Sequence, residues 1–134
     1  MVKKINKFKG GILLIDYGYT KSNYEDTLQS VKSHKKNIYY KNIGKADITY
    51  LVNFNLLKEY FLKKNLKVKN IVSQKFFLET MGILERAKIL EKNMNSKQKN
   101  NMFFTLKRLL HKDLMGDLFK VIFAFESKKN NFLG

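Results

Sequence analysis

Asp16 and Tyr17 close the first apolar run of the chain, directly after Ile12-Leu13-Leu14-Ile15. Polar residues at the carboxyl end of a buried strand point into the crevice where α/β folds hold ligands. Both therefore stand on a candidate functional rim, the alternative being a turn-forming Asp beside a packed Tyr. His34 could accept a proton, although with no partner carboxylate in view it serves equally as a loop hydrogen-bonder. Asp47 with Thr49 could reach a pocket or form an Asx-type turn or helix cap. His111 ends a helical stretch, where an imidazolium would meet the helix dipole favourably. Asp113 and Asp117 flank Met115-Gly116 in the manner of turn residues. Two distant histidines and no clustered carboxylates leave no metal constellation. No Ser/His/Asp set or phosphate loop can be assembled.

The elements that must position these residues read as an α/β chain. Gly10-Gly11 precede the apolar run, whose unbroken hydrophobicity predicts a strand buried on both faces in the middle of a sheet. Residues 20–50 read as a long excursion with little regular structure. Asn53 or Asn55 can cap a helix carrying Phe54, Leu57, Phe61 and Leu62, which ends at Asn65. Leu66 to Val72 alternates like a strand. Gln74 to Met81 reads as a helix stopped by Gly82, and two more helices follow at 83–92 and 96–111, joined by Asn93–Asn95. Leu118 to Phe125 is a strong final strand, and 128–134 a frayed tail. One domain over 1–134 is expected: strand, excursion, helix and strand over 10–73, helices over 74–112, and the last strand within 113–127.

Composition narrows the function classes. With 44% apolar residues, 11 Phe and 7 Tyr, the 134-residue chain can build one core and is not disordered throughout. It has no cysteine, which excludes disulfide scaffolds and thiol nucleophiles. The first nine residues are basic, but no apolar core of about 7–15 residues follows them, and no run approaches the ~18 residues of a membrane span. A cytoplasmic protein without a targeting signal is the expectation. The net charge of +16 suggests an anionic partner. Yet the cations are 25 Lys and 2 Arg, accompanied by 14 Asn and 10 Ile. That is the signature of AT-rich codons, and a phosphate-gripping surface would favour Arg for bidentate contacts. The lysines read as a solvated surface, and a nucleic-acid partner is not expected; a basic RNA- or protein-binding module is the alternative.

The residues from Gly10 onward resemble the MidA-like family of class I methyltransferases, which includes an arginine methyltransferase that assists complex I assembly. Gly10-Gly11-(apolar)-Asp16-Tyr17-Gly18 is similar to the family's Gly-Gly-(apolar)-Asp-Tyr-Gly segment. Asp26-Thr27-Leu28-Gln29 with His34, Gly44-x-Ala46-Asp47-Ile48-Thr49 before Val52-Asn53-Phe54, Gln74-x-x-Phe77-Leu78-x-x-Met81-Gly82-Ile83 and Met115-Gly116-x-x-Phe119-Lys120-Val121 follow in the family's order. Ser33 stands where the family often has Gly, Ile43 where it has Pro, and Asn53 where it has Asp.

The resemblance implies the C-terminal portion of a doubly wound, Rossmann-like sheet. Residues 11–16 would be its fifth strand, 54–64 a helix, 67–73 the sixth strand, 74–111 a helical insertion and 118–126 the antiparallel seventh. It further implies methyl transfer from S-adenosylmethionine to a protein arginine, such as one on a respiratory complex I subunit. Asp16, Tyr17, Gly18, His34 and Asp47 would bind the substrate. The glycine-rich turn that such a cofactor needs after a first strand is missing from these 134 residues. The expectation is therefore half of a split enzyme, a truncated product or a fragment, which cannot bind S-adenosylmethionine alone and pairs with a complementary N-terminal half or with itself.

Overall fold

The computed structural model describes residues 1–21, 27–33, 35–38, 40–41 and 43–126. A short helix α1 (Val2–Phe8), unforeseen in the sequence, ends at Lys9 in the left-handed region (φ 56°). It leads into β1 (Gly11–Tyr19). Glycine at the start and β-branched Ile12 and Ile15 suit an extended chain pressed against a neighbour. That neighbour is β8 (Phe119–Glu126), antiparallel from Gly11↔Phe125 to Tyr17↔Phe119. At the far end β5 (Val52–Asn53) joins β1 in parallel through Gly18↔Val52 and Tyr19↔Asn53. On the other side β6 (Leu66–Val68) and β7 (Val72–Ser73) both pair antiparallel with β8. The order β5-β1-β8-β6 makes a mixed sheet in which the last strand lies between β1 and the β6 and β7 pieces. The expected sixth strand over 67–73 is two short pieces. The Lys69 N–H, donating to the Phe123 carbonyl at 2.9 Å, keeps the break against β8.

Helix α2 (Phe54–Lys63) starts where Asn53 Oδ1 accepts from the Leu56 N–H at 3.1 Å, a side-chain cap. It seats Phe54 and Phe61 on the sheet. With Ile5, Leu66, Ile122 and Ala124 they form the core, and Ile12 and Leu14 pack against it. Only that face of β1 is covered. Leu13 and Ile15, which point the other way by the two-residue period, are 44% and 41% exposed. The expectation of burial on both faces is therefore corrected: α1 and α2 occupy one side, and among the described residues none seals the other over this strand. The outer edge of β1 is open as well. Among the described residues no strand pairs with it between Gly11 and Tyr17.

The region over 20–50 is also more regular than its sequence suggests. Strands β2 (Gln29–Lys32), β3 (Lys35–Asn37) and β4 (Asp47–Thr49) form a separate antiparallel sheet in the order β3-β2-β4. Strands this short show no legible periodicity. Their ladders declare them instead, with Ser30↔Asn37 on one side and Ser30↔Ile48 on the other. Three helices follow, α3 (Gln74–Thr80), α4 (Ile83–Glu91) and α5 (Ser96–Leu110). Gly82, at φ 81°, supplies the left-handed turn between the first two. Asn95 and Gln98 start α5 with a reciprocal capping box. The buried Gln74 side chain donates to the Leu109 carbonyl at 3.0 Å and ties α3 to the end of α5. A tight π-turn at Lys112–Gly116 reverses the chain into β8. The expected tail at 128–134 lies outside the described residues.

Candidate functional site

The carboxyl end of β1 brings the two sheets together. Tyr17 leaves the strand on its uncovered face, and its ring lies 3.9 Å from that of Phe119, centroid to centroid and tilted by 40°. Beside it, Thr27, Gln29, Thr49, Tyr50 and Leu51 complete a cleft of about 240 Å³. Gln29 and Thr49 face each other across β2 and β4. Thr27 Oγ1 accepts from the Leu51 N–H at 3.2 Å, which stitches the two walls of the cleft. The lining therefore offers two phenol rings, a carboxamide and two hydroxyls. Tyr50 is largely exposed and Tyr17 about half so, which leaves both rings accessible.

The sequence-derived candidates fare differently. Tyr17 lines the cleft. Asp16 is exposed, but its Oδ1 accepts from the Tyr17 N–H at 2.8 Å, so the carboxylate braces the strand end. It stands opposite Lys120 in the ladder, whose ammonium donates to the Asp117 carbonyl. Gly18 is held by packing. A Cβ there would run into the Phe54 ring and the Val52 carbonyl oxygen, so only glycine lets β5 and α2 approach this closely. Asp47 is exposed at the start of β4, on the same side of that strand as Thr49. His34 lies outside the described residues. His111 caps α5, and its Nδ1 accepts from the Asp113 N–H at 3.3 Å, a turn contact remote from this cleft in sequence.

Gln29, Tyr50 and Leu51 were not singled out from the sequence. Thr27 and Gln29 belong to the Asp-Thr-Leu-Gln segment, and Tyr50 and Leu51 follow Thr49 directly, so the signal lay in the stretches around the expected residues. Among the described residues no group of three or more His, Asp or Glu side chains could hold a metal ion.

S-adenosylmethionine needs a strand-to-helix turn whose backbone amides approach the ligand closely. Among the described residues the two direct junctions of that kind are β5 to α2 and β7 to α3. Neither contains glycine, and the side chains of Asn53 and Ser73 already accept from the Leu56 and Phe76 N–H groups.

Comparison with known proteins supplies the context. A family described as "Putative S-adenosyl-L-methionine-dependent methyltransferase" matches residues 1–72. The protein arginine methyltransferase NDUFAF7, mitochondrial, of Xenopus tropicalis is 31% identical over 121 residues, covering 90% of this chain and 28% of that protein. Its Caenorhabditis elegans homologue is 29% identical over 119 residues, covering 88% and 26%. The chain thus spans little more than a quarter of these relatives. Among solved structures, an uncharacterized superfamily protein from Burkholderia thailandensis superposes with a TM-score of 0.83 at 22% identity, over 96% of this chain and 37% of that one. A second structure of a member of that superfamily from the same organism, bound to S-adenosyl-homocysteine, gives 0.78 at 21% identity over 96% and 36%. The mixed α/β fold is that of these proteins.

Proposed function

The chain belongs to this S-adenosyl-L-methionine-dependent methyltransferase family, and we propose that it forms the acceptor-side portion of an enzyme methylating protein arginine. The observation that carries the reading is the cleft at the end of β1, where Tyr17 and Tyr50 converge with Gln29 and Thr49. A guanidinium is planar, weakly hydrated and rich in donors. Phenol faces attract it by cation–π interaction, worth about 0.5–1 kcal/mol at an exposed site. The Gln29 carbonyl and Thr49 hydroxyl can accept its N–H groups. The carboxylates of Asp16 and Asp47 would add charge-assisted hydrogen bonds as the substrate closes the site. Gly18 serves by letting β5 bring Leu51 and Tyr50 up to Tyr17, and His34 stands in the same family segment as Gln29.

Methyl transfer asks mainly for alignment of acceptor and donor. In this scheme the chain orients the acceptor nitrogen and screens it from water. A complementary N-terminal portion holds the methyl donor, whose site these residues do not build. The open outer edge of β1 and its exposed Leu13 and Ile15 support such a partner, since an unpaired apolar edge invites a strand. A second copy is disfavoured because each carries a net charge of +16.

The test is reconstitution. The chain, the N-terminal portion of the Xenopus tropicalis relative, and both together are incubated with radiolabelled S-adenosylmethionine and an arginine peptide. Label should pass to the peptide only when both are present, and a lysine peptide should receive none. Transfer by the chain alone would refute the division of labour, and transfer to lysine would refute the acceptor.

A further inference from the structure

The small sheet ends, beside the cleft, in a strand edge that the acceptor reading leaves unused. Strand β4 pairs with β2 through Gln29↔Thr49, Ser30↔Ile48 and Val31↔Asp47. Among the described residues no strand lies on its other side. All of β4 is exposed, and so is Tyr50 after it. Leu51 tells which main-chain groups face which way. Its N–H donates to Thr27 Oγ1 at 3.2 Å and so points toward β2. Successive residues of an extended chain turn their N–H and C=O groups to opposite sides. Asp47 and Thr49 therefore bond β2, and Ile48 and Tyr50 direct theirs outward. Among the described residues no hydrogen bond outside the ladder reaches the main chain of Ile48 or Tyr50. The outer edge is thus a row of paired donors and acceptors, matched by another extended main chain.

The position of that edge selects the occupant. Thr49 and Tyr50, which bound it, also line the cleft assigned to the arginine. We propose that β4 binds the acceptor protein in extended form, as a further strand added to its outer edge. The inference rests on the acceptor reading above and deepens it. The added strand runs antiparallel, as in both ladders of this sheet. The arginine lies opposite Thr49, on the strand face that opens into the cleft. Its two neighbours stand opposite Tyr50 and Ile48 and exchange N–H···O bonds with them. The residue after the arginine meets the Ile48 side chain, which is 61% exposed, and an apolar β-branched residue there forms a favourable cross-strand pair. The substrate class is therefore an arginine in an extended segment, followed by an apolar residue, and not an arginine held on a helix.

The probe is a short peptide with a central arginine flanked by valines, titrated into the full chain and followed by NMR. The Ile48 and Tyr50 amides should exchange freely in the free chain and become protected by the peptide, with Thr49 protected in both. Methylating the peptide nitrogen of either neighbour of the arginine should weaken binding about tenfold, and methylating that of the arginine itself should change it less than about twofold. Ile48→Pro removes an outward donor, spares the ladder to β2, and should weaken binding by a similar factor. The methylated peptides carry the test should that variant fail to fold. A peptide with citrulline in place of arginine tests the acceptor reading separately. Loss on citrulline with no response to neighbour methylation upholds the arginine cleft and overturns the edge. The converse upholds the edge and overturns the arginine. Ile48 and Tyr50 left unprotected at saturating peptide, or already protected in the free monomer, overturn the proposal. So does their protection by the N-terminal portion of a relative that excludes the peptide, because the edge then serves assembly.

Discussion

Tyr17 and Phe119 stand directly opposite each other in the β1–β8 ladder, with their rings 3.9 Å apart. The same tyrosine lines the cleft, so a contact that holds two strands in register also fixes one wall of the candidate acceptor site. A cross-strand aromatic pair contributes about 0.5–1.5 kcal/mol beyond its area. Tyr17→Ala should therefore lower stability in urea melts by roughly 1 kcal/mol, and Tyr17→Phe should leave it nearly unchanged. If the two variants melt alike, the ring contact contributes nothing.

Gly18 carries a sharper requirement. A single methyl there collides with the Phe54 ring and the Val52 carbonyl, and Phe54 is fully buried. Backbone and a locked aromatic cannot give way cheaply, so Gly18→Ala should cost about 1–3 kcal/mol. Thermal melting monitored by circular dichroism reads this. A neutral Gly18→Ala would mean that β5 does not sit where the sheet has it.

Ser33 joins the paired residues Lys32 and Lys35 with φ 50°, in the left-handed region. A side chain there costs about 1–2 kcal/mol, part of which glycine returns through its greater freedom in the unfolded chain. Ser33→Gly should thus stabilise the protein by up to ~1 kcal/mol, visible as a raised melting temperature. A lowered one would contradict the hairpin geometry.

Gln74 is buried with its amide on the Leu109 carbonyl. Replacing it by leucine leaves that carbonyl without its donor, at a cost of about 1–3 kcal/mol. Faster hydrogen exchange confined to the last turn of α5 and the π-turn would accompany the loss. Unchanged exchange there would show that α5 is anchored by other contacts.

Much of this arrangement is legible in the sequence because local chemistry dictates it. Asn53 marks a helix start through a side-chain hydrogen bond and Gly82 a helix stop through its left-handed backbone, neither of which depends on the rest of the fold. The apolar runs at 12–15 and 119–125 are strands by composition. The failures arise where tertiary context decides. Burial on both faces was inferred for Ile12–Ile15 from hydrophobicity, but hydrophobicity records what a strand can bury, and here one face meets no helix. Strands β2, β3 and β4 are too short for a period to emerge, so the excursion read as irregular. The cleft was half visible. Tyr17 stood at a strand end, whereas Gln29 and Tyr50 reach it only through a second sheet whose position no local pattern encodes.

The account rests on β1 having an outer edge that, among the described residues, is left unpaired from Gly11 to Tyr17. Amide hydrogen exchange across β1, followed by NMR in a chain shown to sediment as a monomer, reads this directly. Alternate amides, those bonded to β8, should be protected while the ones between them exchange like open chain, and adding the N-terminal portion of a relative should protect both sets. Uniform protection of β1 in the isolated monomer would mean that the edge is already closed, and the acceptor-half reading would lose its footing.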